Sequence, residues 1–224
     1  MINNNKYFIV VPAYNEIANI KNVIYSICKN SRLRVVVVDD GSKDNTFDMA
    51  KKIQGVEVLK HKVNIGKGAA MKTGCEYAFS KGAKAVIFMD SDAQHSPEDI
   101  IKFTKALDNG NQVVFGSRNY SYGTPLVRFL GNKAASVLIS LLYGIYISDL
   151  LCGFRALTLE AYKKIKWESP GYGVETEMVI KTANSGLKHC EVPVAAIYLD
   201  KVKGVTILDA LSVLLDVFRW KFRK

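Results

Sequence analysis

Asp90, Ser91 and Asp92 leave the apolar run Ala85–Met89, and Gln94 follows two residues on. An Asp-x-Asp step at the end of a buried strand brings two carboxylates near one point, and Gln94 adds another oxygen. Hard divalent cations such as Mg2+ or Mn2+ take oxygen ligands and commonly bridge diphosphates. A second run, Val113–Gly116, delivers Ser117 and Arg118, and a guanidinium there suits a phosphate. A third, Val35–Val38, ends in Asp39 and Asp40; adjacent carboxylates leaving a buried strand are costly unless hydrogen-bonded or paired. One could accept from a base or ribose and the other could cap the next helix, while Ser42 and Asp44 read as turn and cap. A fourth, Tyr7–Val11, runs into Pro12-Ala13-Tyr14-Asn15-Glu16. Pro12 fixes the exit turn, Tyr14 offers a ring to stack on a base, and Glu16 offers an acceptor. Asn64-Ile65-Gly66-Lys67-Gly68 fits neither GxxxxGK[ST] nor GxGxxG, so it reads as a tight turn, with Lys67 available to an anion. His95 reads as a local hydrogen-bonding residue.

These groups need a scaffold that gathers strand ends. Apolar runs at Tyr7–Val11, Val35–Val38, Val56–Leu59, Ala85–Met89 and Val113–Gly116 alternate with helical patterns at Ile17–Cys28, Asn45–Ile53, Lys67–Ser80 and Pro97–Leu107. Ser96 is the expected N-cap of the last. The β-α-β-α order argues for a parallel, doubly wound sheet, and uniformly apolar strands fit a sheet covered on both faces. Ligands bind such sheets beyond the carboxyl ends of the strands, where these groups sit. Beyond Tyr120 the pattern predicts helix over Leu126–Ile147, a strand at Ala156–Leu159, helices from Glu160 and over Val174–Ser185, a strand within Cys190–Tyr198, and a helix over Thr206–Trp220.

The chain has 224 residues, 49% hydrophobic and 23% charged, values that exclude a disordered or low-complexity scaffold. Its net charge of +10 suits a polyanionic partner. Nucleic acid is disfavoured: no RNP-like or C2H2 pattern occurs, and the carboxylates at Asp39, Asp40, Asp90 and Asp92 would repel phosphate without metal. Cys28, Cys75, Cys152 and Cys190 are scattered, which argues against a zinc cluster and fits a reducing compartment. No signal peptide is read at Met1–Lys6. The longest apolar stretch, Ala134–Leu151, is interrupted by Asp149 and diluted by serines, so no transmembrane helix is predicted and a lipid surface would be met peripherally.

The ordered set VVPAYNE (Val10–Glu16), VDDGS, NIGKGAA, MDSDAQHSPE, FGSR and DLLCGFRA resembles the family 2 glycosyltransferases of GT-A fold, and within them the dolichyl- or polyprenyl-phosphate mannose and glucose synthases. The similarity runs nearly the whole chain. It implies a mostly parallel Rossmann-like sheet flanked by helices, in a single domain over 1–224. Residues 1–120 would bind the nucleotide sugar, and 121–224, with a basic amphipathic C-terminal helix, the acceptor. It also implies transfer, with inversion, of mannose or glucose from GDP-mannose or UDP-glucose to a polyprenyl or dolichyl monophosphate. The enzyme would need Mg2+ or Mn2+ and work at the cytoplasmic side of a membrane.

Carried over by position, Pro12, Tyr14, Glu16, Val38 and Asp40 would line the nucleotide pocket. Asp90 and Ser91 would contact the nucleotide sugar. Asp92 and Gln94, with Asp90, would hold the metal. Arg118, helped by Ser117, would lie between donor and acceptor phosphates, and Arg128 and Lys133 would hold the lipid phosphate. Asp149 would sit near the acceptor, and Glu175 and Glu177 open a helix that faces the sugar. Two departures stand out. Cys152 replaces a common Ser, and the late basic loop Lys201–Ile207 lacks its closing Lys, leaving Lys203 for the phosphate. The alternatives are a family 2 enzyme with another saccharide or lipid acceptor, and a non-catalytic sugar-nucleotide binder.

Overall fold

The computed structural model describes residues 6–118, 126–171, 173–195 and 216–221. The first half follows the apolar runs: β1 (Tyr7–Ala13), α1 (Ile20–Asn30), β2 (Arg34–Asp39), α2 (Thr46–Lys51), β3 (Val56–Lys60), α3 (Lys67–Ser80), β4 (Ala85–Phe88), a 3-10 turn (Pro97–Asp99), α4 (Ile100–Asp108) and β5 (Val113–Arg118). The second half supplies α5 (Leu126–Tyr143), β6 (Arg155–Thr158), α6 (Leu159–Ile165), α7 (Val174–Asn184) and β7 (His189–Val194), and 216–221 is helical. The rest of the expected C-terminal helix, and Lys203, lie outside the described residues.

The seven strands form one sheet in the order β3-β2-β1-β4-β6-β5-β7. One core layer packs α3, α6 and α7 on one face, and a second packs α1 and α4 on the other. The order reverses between β1 and β4, which pair only from Tyr7↔Ala85 to Val10↔Phe88. Pro12 stands beyond that point, where its missing N–H costs β4 no bond. The parting strands open a crevice at their carboxyl ends, where ligands bind in open α/β sheets.

The sheet is mostly parallel, as expected, and its exception is β6, which runs antiparallel to both β4 and β5. Its direction matters for the site. Arg155 pairs with Phe88, so β6 enters the sheet beside the exit of β4 and carries Asp149–Phe154 to the crevice. Two helix starts also differ. α1 begins at Ile20, and the Glu16 and Ile17 N–H groups before it donate to Thr46 Oγ1 and Asp44 Oδ2, at 2.8 and 3.2 Å. Ser96 precedes the 3-10 turn but makes no side-chain cap bond, whereas Thr158 caps α6 by accepting from Ala161 N at 3.1 Å. All four cysteines are free thiols.

Candidate active site

A cleft of about 310 Å3 opens at the crevice, lined from β1 by Pro12, Tyr14 and Glu16, from β2 by Asp40, from β4 by Asp90, Ser91, Asp92 and Gln94, and from β5 by Arg118. Gly66, Lys67, Leu151 and Glu175 complete its walls. Most of the residues expected at the site thus converge. Val38 does not: its side chain is fully buried, in contact range of Gly74 on α3, because it stands within β2 where both faces of the sheet are covered.

The two carboxylates after β4 differ. Asp90 meets Lys67 Nζ at 2.7 Å and His95 Nε2 at 3.3 Å. Burial opposes its charge, but Lys67 and His95 prevail and hold it well below the usual carboxylate range. Gly153 is required alongside, because any Cβ there would collide with the Asp90 carboxylate. Asp92 has no ion-pair partner among the described residues and accepts the Gln94 N–H at 3.0 Å. Burial and the neighbouring Asp90 charge push its carboxyl up. Such a group gains most from an incoming cation. Among the described residues, no cluster of three His, Cys, Asp or Glu side chains could enclose a metal. One available carboxylate beside Gln94 fits an ion that draws its remaining oxygens from a diphosphate and water, as Mg2+ commonly does.

Lys67 also reaches Glu175 Oε1 at 2.8 Å. Burial works against its ammonium, yet the Asp90 and Glu175 charges keep its pKa above the ordinary lysine value. Lys67 is therefore an internal clamp between β4 and α7. Glu175 is 4% exposed and its Oε2 has no partner among the described residues, so the cleft wall holds an acceptor without a donor. Glu177, expected beside it, turns away. It accepts the Glu168 and Ser169 N–H groups, both at 2.8 Å, and pairs with Lys181 at 2.9 Å. The loop it fixes puts the Pro170 carbonyl against Gly66, whose φ of +106° only glycine adopts readily. Asp40 fixes the same turn, accepting from Gly66 N at 2.7 Å, Ile65 N at 3.1 Å and His61 Nδ1 at 2.7 Å. Asp39 is fully buried, with Ser42 N at 3.3 Å on one oxygen and no partner for the other among the described residues.

On the opposite wall Arg118 forms a bidentate pair with Asp149, Nε–Oδ2 2.7 Å and Nη2–Oδ1 2.9 Å, and its backbone N–H reaches Oδ2 at 3.2 Å. Asp149 is fully buried and outside the cleft lining, so it acts through Arg118. Asn132 on α5 braces it, with Nδ2 3.4 Å from Oδ1 and Oδ1 accepting from Leu150 N at 3.2 Å. Ser117 Oγ lies 2.6 Å from Ser148 Oγ, and Ser148 donates its N–H and hydroxyl to Glu191 Oε1 at 2.8 and 2.6 Å. With that proton committed to Glu191, Ser117 donates to Ser148, which leaves it no proton for a phosphate. Lys133 stands outside the cleft lining, its Nζ 2.9 Å from Tyr146 Oη. Arg128 lies in the first turn of α5, where only the backbone is described. Burial pushes the Cys152 thiol up to about 12, so the departure from Ser introduces no reactive thiolate.

Asn132, Ser148 and Glu191 had no motif to announce them; a lone amide in an apolar helix and a lone carboxylate in a strand were the available signals. The family model for glycosyl transferase family 2 matches residues 8–166, which hold every cleft residue named above except Glu175. The chain belongs to glycosyl transferase family 2. It is an enzyme of that class. It is 30% identical, over 97% of its length and 96% of the relative's, to the UDP-N-acetylglucosamine–dolichyl-phosphate N-acetylglucosaminyltransferase of Methanococcus voltae. It is 28% identical to the polyprenol monophosphomannose synthase of Mycolicibacterium smegmatis, over 96% of this chain and 86% of that one. The glucosyl-3-phosphoglycerate synthase of Mycobacterium tuberculosis, solved with Mn2+, uridine diphosphate and glucosyl-3-phosphoglycerate, superposes with a TM-score of 0.74. That match covers 95% of this chain and 79% of that one at 24% identity, and it places this family 2 enzyme in the GT-A fold.

Proposed function

We propose that this glycosyltransferase moves one sugar, with inversion, from a nucleoside diphosphate sugar to a polyprenyl monophosphate. The observation that carries the reading is the meeting of Asp92 and Arg118 in the lining of one cleft. One wall offers oxygen to a cation and the other a guanidinium to an anion, the pairing a reaction among several phosphates needs. Relatives named for dolichyl-phosphate and polyprenol-monophosphate products support the acceptor class.

The nucleotide would lie along Pro12, Tyr14, Glu16 and Asp40, with Asp90 and Ser91 beneath the sugar. Asp92 and Gln94 would hold Mg2+ or Mn2+, which as a Lewis acid stabilises the charge on the leaving diphosphate. An acceptor monophosphate, with its second pKa near ~6, is already an anionic nucleophile near neutrality. One of its oxygens forms the bond to the anomeric carbon as the bond to the diphosphate oxygen breaks, and the nucleoside diphosphate leaves with that electron pair. No general base is required. Arg118, held rigid by Asp149, screens the repulsion between incoming and leaving phosphates. Glu175 Oε2 accepts a hydroxyl of the transferred sugar, which gives a buried acceptor its missing donor. The acceptor phosphate is assigned to Arg118 and Arg128.

The test is a transfer assay with Mn2+ or Mg2+, a polyprenyl phosphate, and GDP-mannose, UDP-glucose or UDP-N-acetylglucosamine in parallel. Sugar in the lipid phase with one donor is expected, and identifies that donor. Nucleoside diphosphate released only when a soluble acceptor is present would overturn the lipid-phosphate reading.

A further inference from the structure

The loop between β2 and α2 gives its side-chain acceptors to the loop beside it. Asn45, at the N-cap of α2, makes no side-chain cap bond. Ser42 and Asp44, expected as turn and cap, reach across with Thr46 to the loop between β1 and α1. There they take three successive N–H groups: Asn15 N to Ser42 Oγ at 2.9 Å, Glu16 N to Thr46 Oγ1 at 2.8 Å and Ile17 N to Asp44 Oδ2 at 3.2 Å. A fourth bond runs the other way, from Lys43 N to Asn15 Oδ1 at 2.8 Å. Successive N–H groups face one side only where the chain turns, and Asn15 supplies the turn with a φ of +53°, a region that asparagine enters more readily than most residues.

The accepting side of this clasp is rooted in the core. Thr46 is fully buried, and Ser42 N donates to the fully buried Asp39 at 3.3 Å. Asp44 Oδ1 holds the Thr46 N–H at 3.0 Å and its hydroxyl at 2.5 Å, which leaves Oδ2 to Ile17. Burial opposes the Asp44 charge, but the Thr46 and Ile17 donors outweigh it and hold the carboxyl below the ordinary aspartate value of 3.8. The donating side is a surface loop: Tyr14, Asn15 and Ile17 are exposed, yet the same loop brings Tyr14 and Glu16 into the cleft lining. A short exposed loop without such ties would have to be ordered by its ligand, and that entropy is subtracted from affinity.

We propose that Ser42, Asp44 and Thr46 are positioning residues for the nucleoside end of the donor: by holding Asn15–Ile17 they set Tyr14 and Glu16 in place before the nucleotide arrives. None of the three lines the cleft, so they act through the loop they hold. The proposal rests on the nucleotide-sugar reading above and is independent of the acceptor.

The experiment combines amide hydrogen exchange of the free chain with calorimetric titration by UDP and by GDP in Mn2+, for the wild type, Thr46→Val, Thr46→Ser and Ser42→Ala. In the wild type the Asn15, Glu16 and Ile17 amides should exchange slowly for a surface loop, and Thr46→Val should lose that protection at Glu16. The Kd of the diphosphate that binds should rise about tenfold in Thr46→Val, where a buried N–H loses its acceptor, and about threefold in Ser42→Ala, where water can reach the Asn15 N–H. Thr46→Ser keeps the hydroxyl and should stay near the wild type. Donor KM should follow Kd while kcat and acceptor KM hold, the mark of lost uniform binding. If Thr46→Val folds poorly, the half-buried Ser42 decides the matter alone. Fast exchange at the three amides of the wild type would overturn the clasp. Protection lost with Kd unmoved would make it a structural fastening and overturn its role in binding, with the acceptor reading intact. Diphosphate binding that follows the expected order without sugar transfer to lipid would do the opposite, and a wild type that binds neither diphosphate would overturn both.

Discussion

The two walls of the cleft handle charge in opposite ways. On the β1–β4 side, Asp92 is half-buried next to another carboxylate with no ion-pair partner among the described residues, and Glu175 keeps one oxygen unpaired among them. On the β5 side, Arg118 is held by both oxygens of Asp149, and the Ser117–Ser148–Glu191 chain is closed on itself. The first wall keeps acceptors that a ligand can satisfy. The second is complete without one and offers a rigid cation. Acceptors kept for a ligand and order built in advance are two ways to prepare a site, and they respond differently to substitution.

Asp92→Ala draws the contrast most sharply. Losing a Lewis-acid site removes several kcal/mol of transition-state stabilisation, so kcat should fall about 10^3-fold. Tm should stay level or rise, since a half-buried carboxylate repelled by Asp90 is gone. A variant with wild-type turnover in Mn2+ would remove Asp92 from the metal site. Asp149→Asn is expected to damage both properties. It leaves the Arg118 guanidinium, only 16% exposed, without its counter-charge. Breaking a buried pair costs about 3 kcal/mol, or a Tm fall of roughly 6–12 °C, measurable by calorimetry. If Tm does not move, the pair is not the brace described.

The β1–β4 wall was the more legible in sequence. Its residues follow apolar runs, and a run that must be buried fixes where the chain emerges, so Pro12, Asp40, Asp90 and Asp92 could be placed from spacing alone. The resemblance to family 2 supplied their order. The facing wall depends on the direction of β6, and apolar periodicity carries no information on direction. The pairing of Arg118 with Asp149 and the recruitment of Glu191 follow from that reversal across long sequence separations. Val38 sits within β2, paired with Pro12 and Leu59 in a sheet covered on both faces, so its side chain is buried while Asp40, past the strand end, lines the cleft. The orientation of α5 follows from Asn132 and Ser136, buried polar residues whose partners only the fold reveals.

Glu191→Gln tests the preformed wall more gently. The amide keeps the size but weakens the bonds from Ser148, loosening the segment that carries Asp149. The acceptor KM should rise about tenfold, as one charge-assisted hydrogen bond predicts, with the donor KM unchanged. Equal shifts in both would show that Glu191 serves the whole cleft.

Glu177→Gln should leave turnover nearly unchanged and isolates a brace on the other wall. Burial opposes the Glu177 charge, but the Ser169 and Lys181 contacts outweigh it and hold the carboxyl below the ordinary glutamate value of 4.5. The folded state therefore binds this proton less readily than the unfolded chain. The resulting stability is fully present above pH 4.5 and is lost as pH falls through the lower folded value. At pH 7 the substitution should cost about 1–2 kcal/mol. The gap in Tm between the two proteins should narrow as pH drops below 4.5. A gap that holds constant into acid would mean that the fixed loop, and through it the Gly66 turn, depends on the shape of residue 177 and not on its charge.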